Sequence, residues 1–178
     1  MHKGVKEMNE IEQNTKKFIL VGMNDAKIST SDKPIIGTNA LATCIGLLLY
    51  SEEEKQAIVA HVVPDNIEAI DKVFRIILEN KLHNIKFKYL IIPGYYQEHY
   101  DTIDLIKKHM TDFTPFDLSQ ITENAIRCNY EATSHEFAFD SSTGKFITDK
   151  VLFGTYYHML NPEEQTITEY KKYNSQIK

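Results

Sequence analysis

Thr38–Cys44 (TNALATC) runs directly into Ile45–Tyr50 (IGLLLY), and after the charged stretch Ser51–Gln56 (SEEEKQ) the chain continues with Ala57–Val63 (AIVAHVV) and Pro64. Two short, uninterrupted apolar runs on either side of a hydrophilic break read as two buried strands joined by an exposed hairpin tip. Registering Tyr50 with Ala57 sets His61 opposite Gly46 and Cys44 opposite Val63. Alternation then places Cys44 and His61 on one face as diagonal neighbours, with Cα atoms roughly 5.5–8 Å apart. Gly46 leaves room opposite the imidazole.

Outward from this hairpin, Phe18–Met23 (FILVGM) reads as another buried strand. Asn24–Gly37 reads as loop, because Asn, Asp, Ser, Lys, Pro and Gly dominate it. Gly37–Thr43 reads as a small-residue turn leading to Cys44. Asp65 and Glu68 have the form of a helix capping box, and Ile67, Ile70, Val73, Phe74, Ile77 and Leu78 follow at helical spacing. Phe87–Ile92 is a strand closed by Pro93-Gly94, and Tyr100–Met110 is a weaker helix. Phe137–Phe139 and Phe146–Thr148 flank Asp140–Gly144 as a hairpin. The reading is a flexible arm over 1–17, a single domain over 18–160 and a polar tail over 161–178. The fold class is α/β or α+β: a layered sandwich of mixed β-sheet with flanking helices.

The chain has 178 residues, 42% apolar and 25% charged, with a net charge of −5. That suffices for one core. No run of Lys and Arg shares a face, which argues against nucleic acid as a partner. No apolar stretch approaches the roughly 20 residues of a membrane span, and Met1–Lys17 lacks the apolar core of an export signal. The expectation is a cytoplasmic protein, not inserted in a membrane, whose two cysteines, Cys44 and Cys128, are reduced. No cofactor is expected. The sequence has no phosphate loop, no dinucleotide fingerprint and no C-x-x-C, and His83, His99, His109, His135 and His158 show no metal-ligand spacing. Tyr95-Tyr96 reads as a turn with two packed tyrosines, or alternatively as the rim of a peptide site. Cys128 reads as structural.

Chemically, a neighbouring imidazolium stabilises a cysteine thiolate, and the imidazole can return the proton to a leaving amine. A third group must orient the ring, and backbone N–H groups of the turn before Cys44 can hold an oxyanion. The residues alone leave two readings open. Cys44 and His61 are a nucleophile and its base, or they are ordinary core residues.

The segment Val21–Asp65 resembles the CheD family of chemoreceptor glutamine deamidases. The family pattern is V-G-M/I-G/N-D/E, a polar loop, T-x-x-x-x-[ST]-C-x-x-x-x-x-[YF], then A-H-[VI]-x-x-P. Here the positions are Val21-Gly22-Met23-Asn24-Asp25, then Thr38 through Thr43-Cys44 to Tyr50, then Ala60-His61-Val62-Val63-Pro64, where one residue and not two separates Val62 from the proline. The matched segment is about a quarter of the chain. Phe139–Lys145 is similar to the family's late strand and Thr-Gly turn. The family's glycine-rich segment is reduced to Ile92–Tyr96, and its late Gly-Gly-x-x-Gly-Arg element is replaced by Ala132–Glu136.

The resemblance implies a protein-glutamine deamidase, a cysteine hydrolase with Cys44 as nucleophile, His61 as base and acid, and Thr38 orienting the imidazole. It implies the layered sandwich shared with the catalytic domain of cytotoxic necrotizing factor toxins. The implied partners are a protein bearing the target glutamine, a chemoreceptor first of all, and a chemotaxis phosphatase-type protein. The alternatives are an effector or toxin deamidase acting on another protein, and a binding module that keeps the fold without the activity. On the family reading, Cys44 Sγ lies within about 4 Å of a His61 ring nitrogen, and Thr38 approaches the other nitrogen.

Overall fold

A computed structural model describes residues 17–96, 100–112, 121, 126–129 and 133–147. The strands are β1 (Phe18–Val21), β2 (Asp25–Ile28), β3 (Ile35–Leu41), β4 (Ile45–Ser51), β5 (Gln56–Val62), β6 (Lys88–Ile92), β7 (Arg127–Asn129), β8 (Ser134–Asp140) and β9 (Lys145–Phe146). Helix α1 spans Glu68–Glu79, between β5 and β6, and helix α2 spans Tyr100–Asp112. The expected arm, apart from Lys17, and the polar tail lie outside the described residues, as do His99, His158 and Thr148.

The β4–β5 hairpin has the register read from the sequence: Tyr50 pairs with Ala57 and Gly46 with His61. It forms the centre of an antiparallel four-stranded sheet ordered β2-β5-β4-β6. Both faces of this sheet are covered. Ile45, Leu47, Leu49, Ile58, Ala60 and Val62 pack against Ala69, Ile70, Val73 and Ile77 of α1 and Ile103, Ile106 and Met110 of α2. Leu48, Tyr50, Ala57, Val59, Leu90 and Ile92 face the other way, onto Ile36, Phe137 and Phe139. Double coverage is why these strands are unbroken apolar runs. Each fully buried Leu, Ile or Phe contributes about 1.5–3 kcal/mol, so this central sheet dominates the stability.

The second sheet is ordered β1-β3-β8-β7, with β9 also on β8. It is mixed: β1 and β3 are parallel, the other pairs antiparallel. The result is an α+β domain in three layers, helices on one sheet and that sheet on another.

Several local readings change. Asn24–Gly37 contains β2 and the start of β3, and Gly37–Leu41 is strand, so the turn before the cysteine is only Ala42–Cys44. Local composition misleads here because β3 is held between β1 and β8, and long-range pairing overrides turn propensity. The Asp65–Glu68 capping box does not form. Asp65 is in the left-handed region (φ 59), the N-cap position falls on Ile67, and the Asn66 side chain accepts the Glu68 N–H at 3.0 Å instead. Ile67 and Leu78 lie on the exposed side of α1 and not in the core.

Candidate active site

Three elements bring the sequence-selected residues to one end of the sandwich. His61 is the penultimate residue of β5, Cys44 immediately precedes β4, and Thr38 lies on β3 of the facing sheet. All three are buried. Thr38 points inward because Ile36 and Thr38 share the inner face of β3. Beyond it the strand bulges: Thr38 pairs with Phe137, but Leu41 pairs with His135, with one extra residue on β3 between them. Ala40 takes up the excess in a left-handed conformation (φ 55). The bulge resets the alternation, so that Leu41 also faces inward beside Cys44.

Thr38 Oγ1 lies 2.8 Å from His61 Nδ1 and 2.8 Å from the Val21 carbonyl oxygen. A carbonyl only accepts, so the single hydroxyl hydrogen of Thr38 goes to Val21. The Thr38 oxygen then accepts from the ring, and Nδ1 carries the proton. This tautomer leaves the lone pair on Nε2. Nε2 is buried, and no hydrogen-bonding partner to it is found among the described residues. The thiol–imidazole hydrogen bond expected from the sequence is therefore not formed in this structure.

Burial pushes the imidazolium of His61 down to about 4. Burial likewise pushes the Cys44 thiol up, against a smaller opposing effect of a hydrogen bond from the Thr43 side chain. Near neutral pH both groups are uncharged. The resting pair is thiol and neutral imidazole, not the ion pair anticipated from sequence, because desolvation penalises both charged forms.

Gly46 sits opposite His61 as expected, but the space above it is filled. A Cβ there would stand 3.0 Å from Leu41 Cδ1, 3.1 Å from Phe137 Cε1 and 3.3 Å from Ile92 Cβ. Its bareness admits the core side chains that close the floor of the site.

The segment Pro93–Tyr96 follows β6 and is the turn with two packed tyrosines read from the sequence, but it also lies across the turn Leu41–Cys44, which the sequence did not indicate. The N–H groups of Tyr95 and Tyr96 donate to the carbonyls of Leu41 (2.9 Å) and Ala42 (3.1 Å). Tyr95 and Tyr96 pack edge to face at 5.3 Å. Pro93-Gly94 was legible as the end of a strand, but nothing local marks what it packs on. Cys128 is buried on β7, opposite His135 of β8.

Among the described residues no group of three or more His, Cys, Asp and Glu side chains could hold a metal ion, and no helix is long and apolar enough to cross a membrane. No protein-family model matches the chain, and no curated protein is significantly similar to it in sequence.

Proposed function

We propose that the chain is a CheD-type protein-glutamine deamidase: a cysteine hydrolase in which Cys44 attacks a glutamine carboxamide, His61 moves the protons and Thr38 orients the ring. The observation that carries this reading is the buried relay Val21–Thr38–His61. It fixes one tautomer and leaves a basic nitrogen, without a partner among the described residues, on the face that also bears Cys44. A buried polar atom without a partner costs roughly 1–3 kcal/mol, and a purely structural histidine has no reason to bear that cost.

With both groups neutral at rest, the reaction runs by general-base catalysis. His61 Nε2 takes the Cys44 proton as sulfur attacks the carboxamide carbon. Hydrogen bonds to nucleophiles are often unmade in the unliganded state and tighten with substrate bound. The Ala42 N–H is taken by the Ala40 carbonyl at 3.0 Å, so the oxyanion donors in this reading are the N–H groups of Thr43 and Cys44. Collapse breaks the C–N bond, and the imidazolium protonates the departing nitrogen, which leaves as ammonia. Water, deprotonated by His61, then cleaves the thioester, giving glutamate and restoring the thiol. Throughout, Thr38 Oγ1 accepts from Nδ1–H and stabilises the transient imidazolium, the role of the orienting group in other triads.

The substrate class this reading implies is a cytoplasmic protein carrying an accessible glutamine, with chemoreceptors the first candidates and a chemotaxis phosphatase-type protein a second partner. The test is to incubate the full chain with purified receptor cytoplasmic segments, and separately with lysate, and to map glutamine-to-glutamate conversion by mass spectrometry. Conversion at defined positions that disappears with His61→Ala supports the reading. A substrate other than a receptor would move the protein to the effector class with its chemistry unchanged. Absence of conversion on receptors and throughout the lysate would favour a binding module.

A further inference from the structure

His135 of β8 is buried, and its Nδ1 lies 2.9 Å from the carbonyl oxygen of Pro93. The carbonyl can only accept, so Nδ1 carries a hydrogen and donates it. Pro93 is where the chain leaves β6 to cross the nucleophile turn. Immediately after it, Gly94 lies so close to that turn that an added Cβ would stand 2.3 Å from the Ala42 carbonyl oxygen and 2.5 Å from that of Cys44. The next two N–H groups hold Leu41 and Ala42. Tyr95 packs edge-on against the His135 ring at 5.9 Å, and the Tyr96 hydroxyl donates to Thr133 Oγ1 at 3.2 Å, at the entrance to β8. One side of the Pro93–Tyr96 segment thus grips the turn that carries Cys44, and the other side is pinned by His135 and its neighbour.

We propose that His135 is a positioning residue for Cys44: by holding the Pro93 carbonyl it seats the Gly94 segment on the Leu41–Cys44 turn and so sets where the thiol stands relative to His61. The inference rests on Cys44 being the nucleophile. A displacement of about 1 Å at a reacting atom can cost on the order of a hundredfold in rate. Ala42–Cys44 belong to no strand, so what packs on this turn decides where it sits.

The test is a double-mutant comparison on the full chain, reading the alkylation of Cys44 by iodoacetamide at pH 7, resolved by peptide mapping. In wild type, His61→Ala should slow Cys44 by about tenfold or more, the loss of a positioned general base. His135→Leu removes the donor, and in that background His61→Ala should change the rate by less than about twofold. His135→Asn, whose Nδ2 can stand where the imidazole Nδ1 stands, should restore the dependence on His61, which a purely structural role would not require. If His135→Leu fails to fold, His135→Met supplies the second variant without a donor. An unchanged dependence on His61 in the folded non-donor variant would overturn the positioning role while leaving the nucleophile reading intact. No dependence on His61 in wild type would overturn both.

Discussion

Thr38 Oγ1 accepts from His61 Nδ1 at 2.8 Å while giving its own hydrogen to the Val21 carbonyl, also at 2.8 Å. The two sheets of the sandwich are joined at this point by a chain of hydrogen bonds that fixes the imidazole's tautomer. Thr38→Val would leave the buried His61 Nδ1–H without its acceptor and take one donor from the Val21 carbonyl. The expected loss is about 1–3 kcal/mol in urea unfolding, together with slower Cys44 alkylation. Thr38→Ser keeps the hydroxyl and should recover most of both.

Protonation of His61 should limit stability in acid. Its folded-state pKa is about 4, below the 6.5 of an exposed imidazole. Between these values the unfolded chain binds a proton that the native chain does not, so stability rises with pH. The contribution is complete above pH 6.5 and is lost progressively as pH falls towards 4, by which point the loss is about 3 kcal/mol. Thermal unfolding from pH 4 to 7 should show this slope, and His61→Leu should flatten it. An unchanged slope in that variant would assign the acid sensitivity to other groups.

Three glycines should rank in a definite order when replaced by alanine. A Cβ at Gly94 would stand 2.3 and 2.5 Å from two backbone carbonyl oxygens, which cannot swing aside. Its replacement should cost at least about 3 kcal/mol and displace the turn that carries Cys44. Gly46 meets side-chain atoms at 3.0 to 3.3 Å that can give a little, so about 1–2 kcal/mol is expected. Gly22 has nothing within 4 Å, and alanine there should be neutral or stabilising by under about 1 kcal/mol. Chemical denaturation of the three variants checks the order.

The central hairpin was legible because burial on both faces writes unbroken apolar runs, and the charged break between them fixes the register. That register alone puts Cys44 and His61 on one face. Thr38 entered only through resemblance to a family motif, because β3 is written in small and turn-prone residues (Gly37, Asn39 and Ala40) and becomes a strand by pairing with β1 and β8. The bulge at Ala40 and the clasp of Pro93–Tyr96 on the cysteine turn are long-range contacts with no periodic signature. Nothing but the lack of metal-ligand spacing could be read for His135, for the same reason: its partner, the Pro93 carbonyl, is backbone. The resting charge state also differs from the one read off the sequence. Proximity of Cys and His suggests an ion pair, whereas the depth of burial, which no local pattern encodes, keeps both neutral.

In the proposed reaction a target glutamine passes through a thioester on Cys44. The most direct measurement is to run the deamidation with hydroxylamine present and map the target residue by mass spectrometry. Hydroxylamine competes with water for the thioester, so the wild-type chain should yield glutamyl hydroxamate alongside glutamate, and Cys44→Ser should yield neither. Glutamate formed at an undiminished rate by Cys44→Ser, or glutamate with no hydroxamate at any hydroxylamine concentration, would contradict the mechanism.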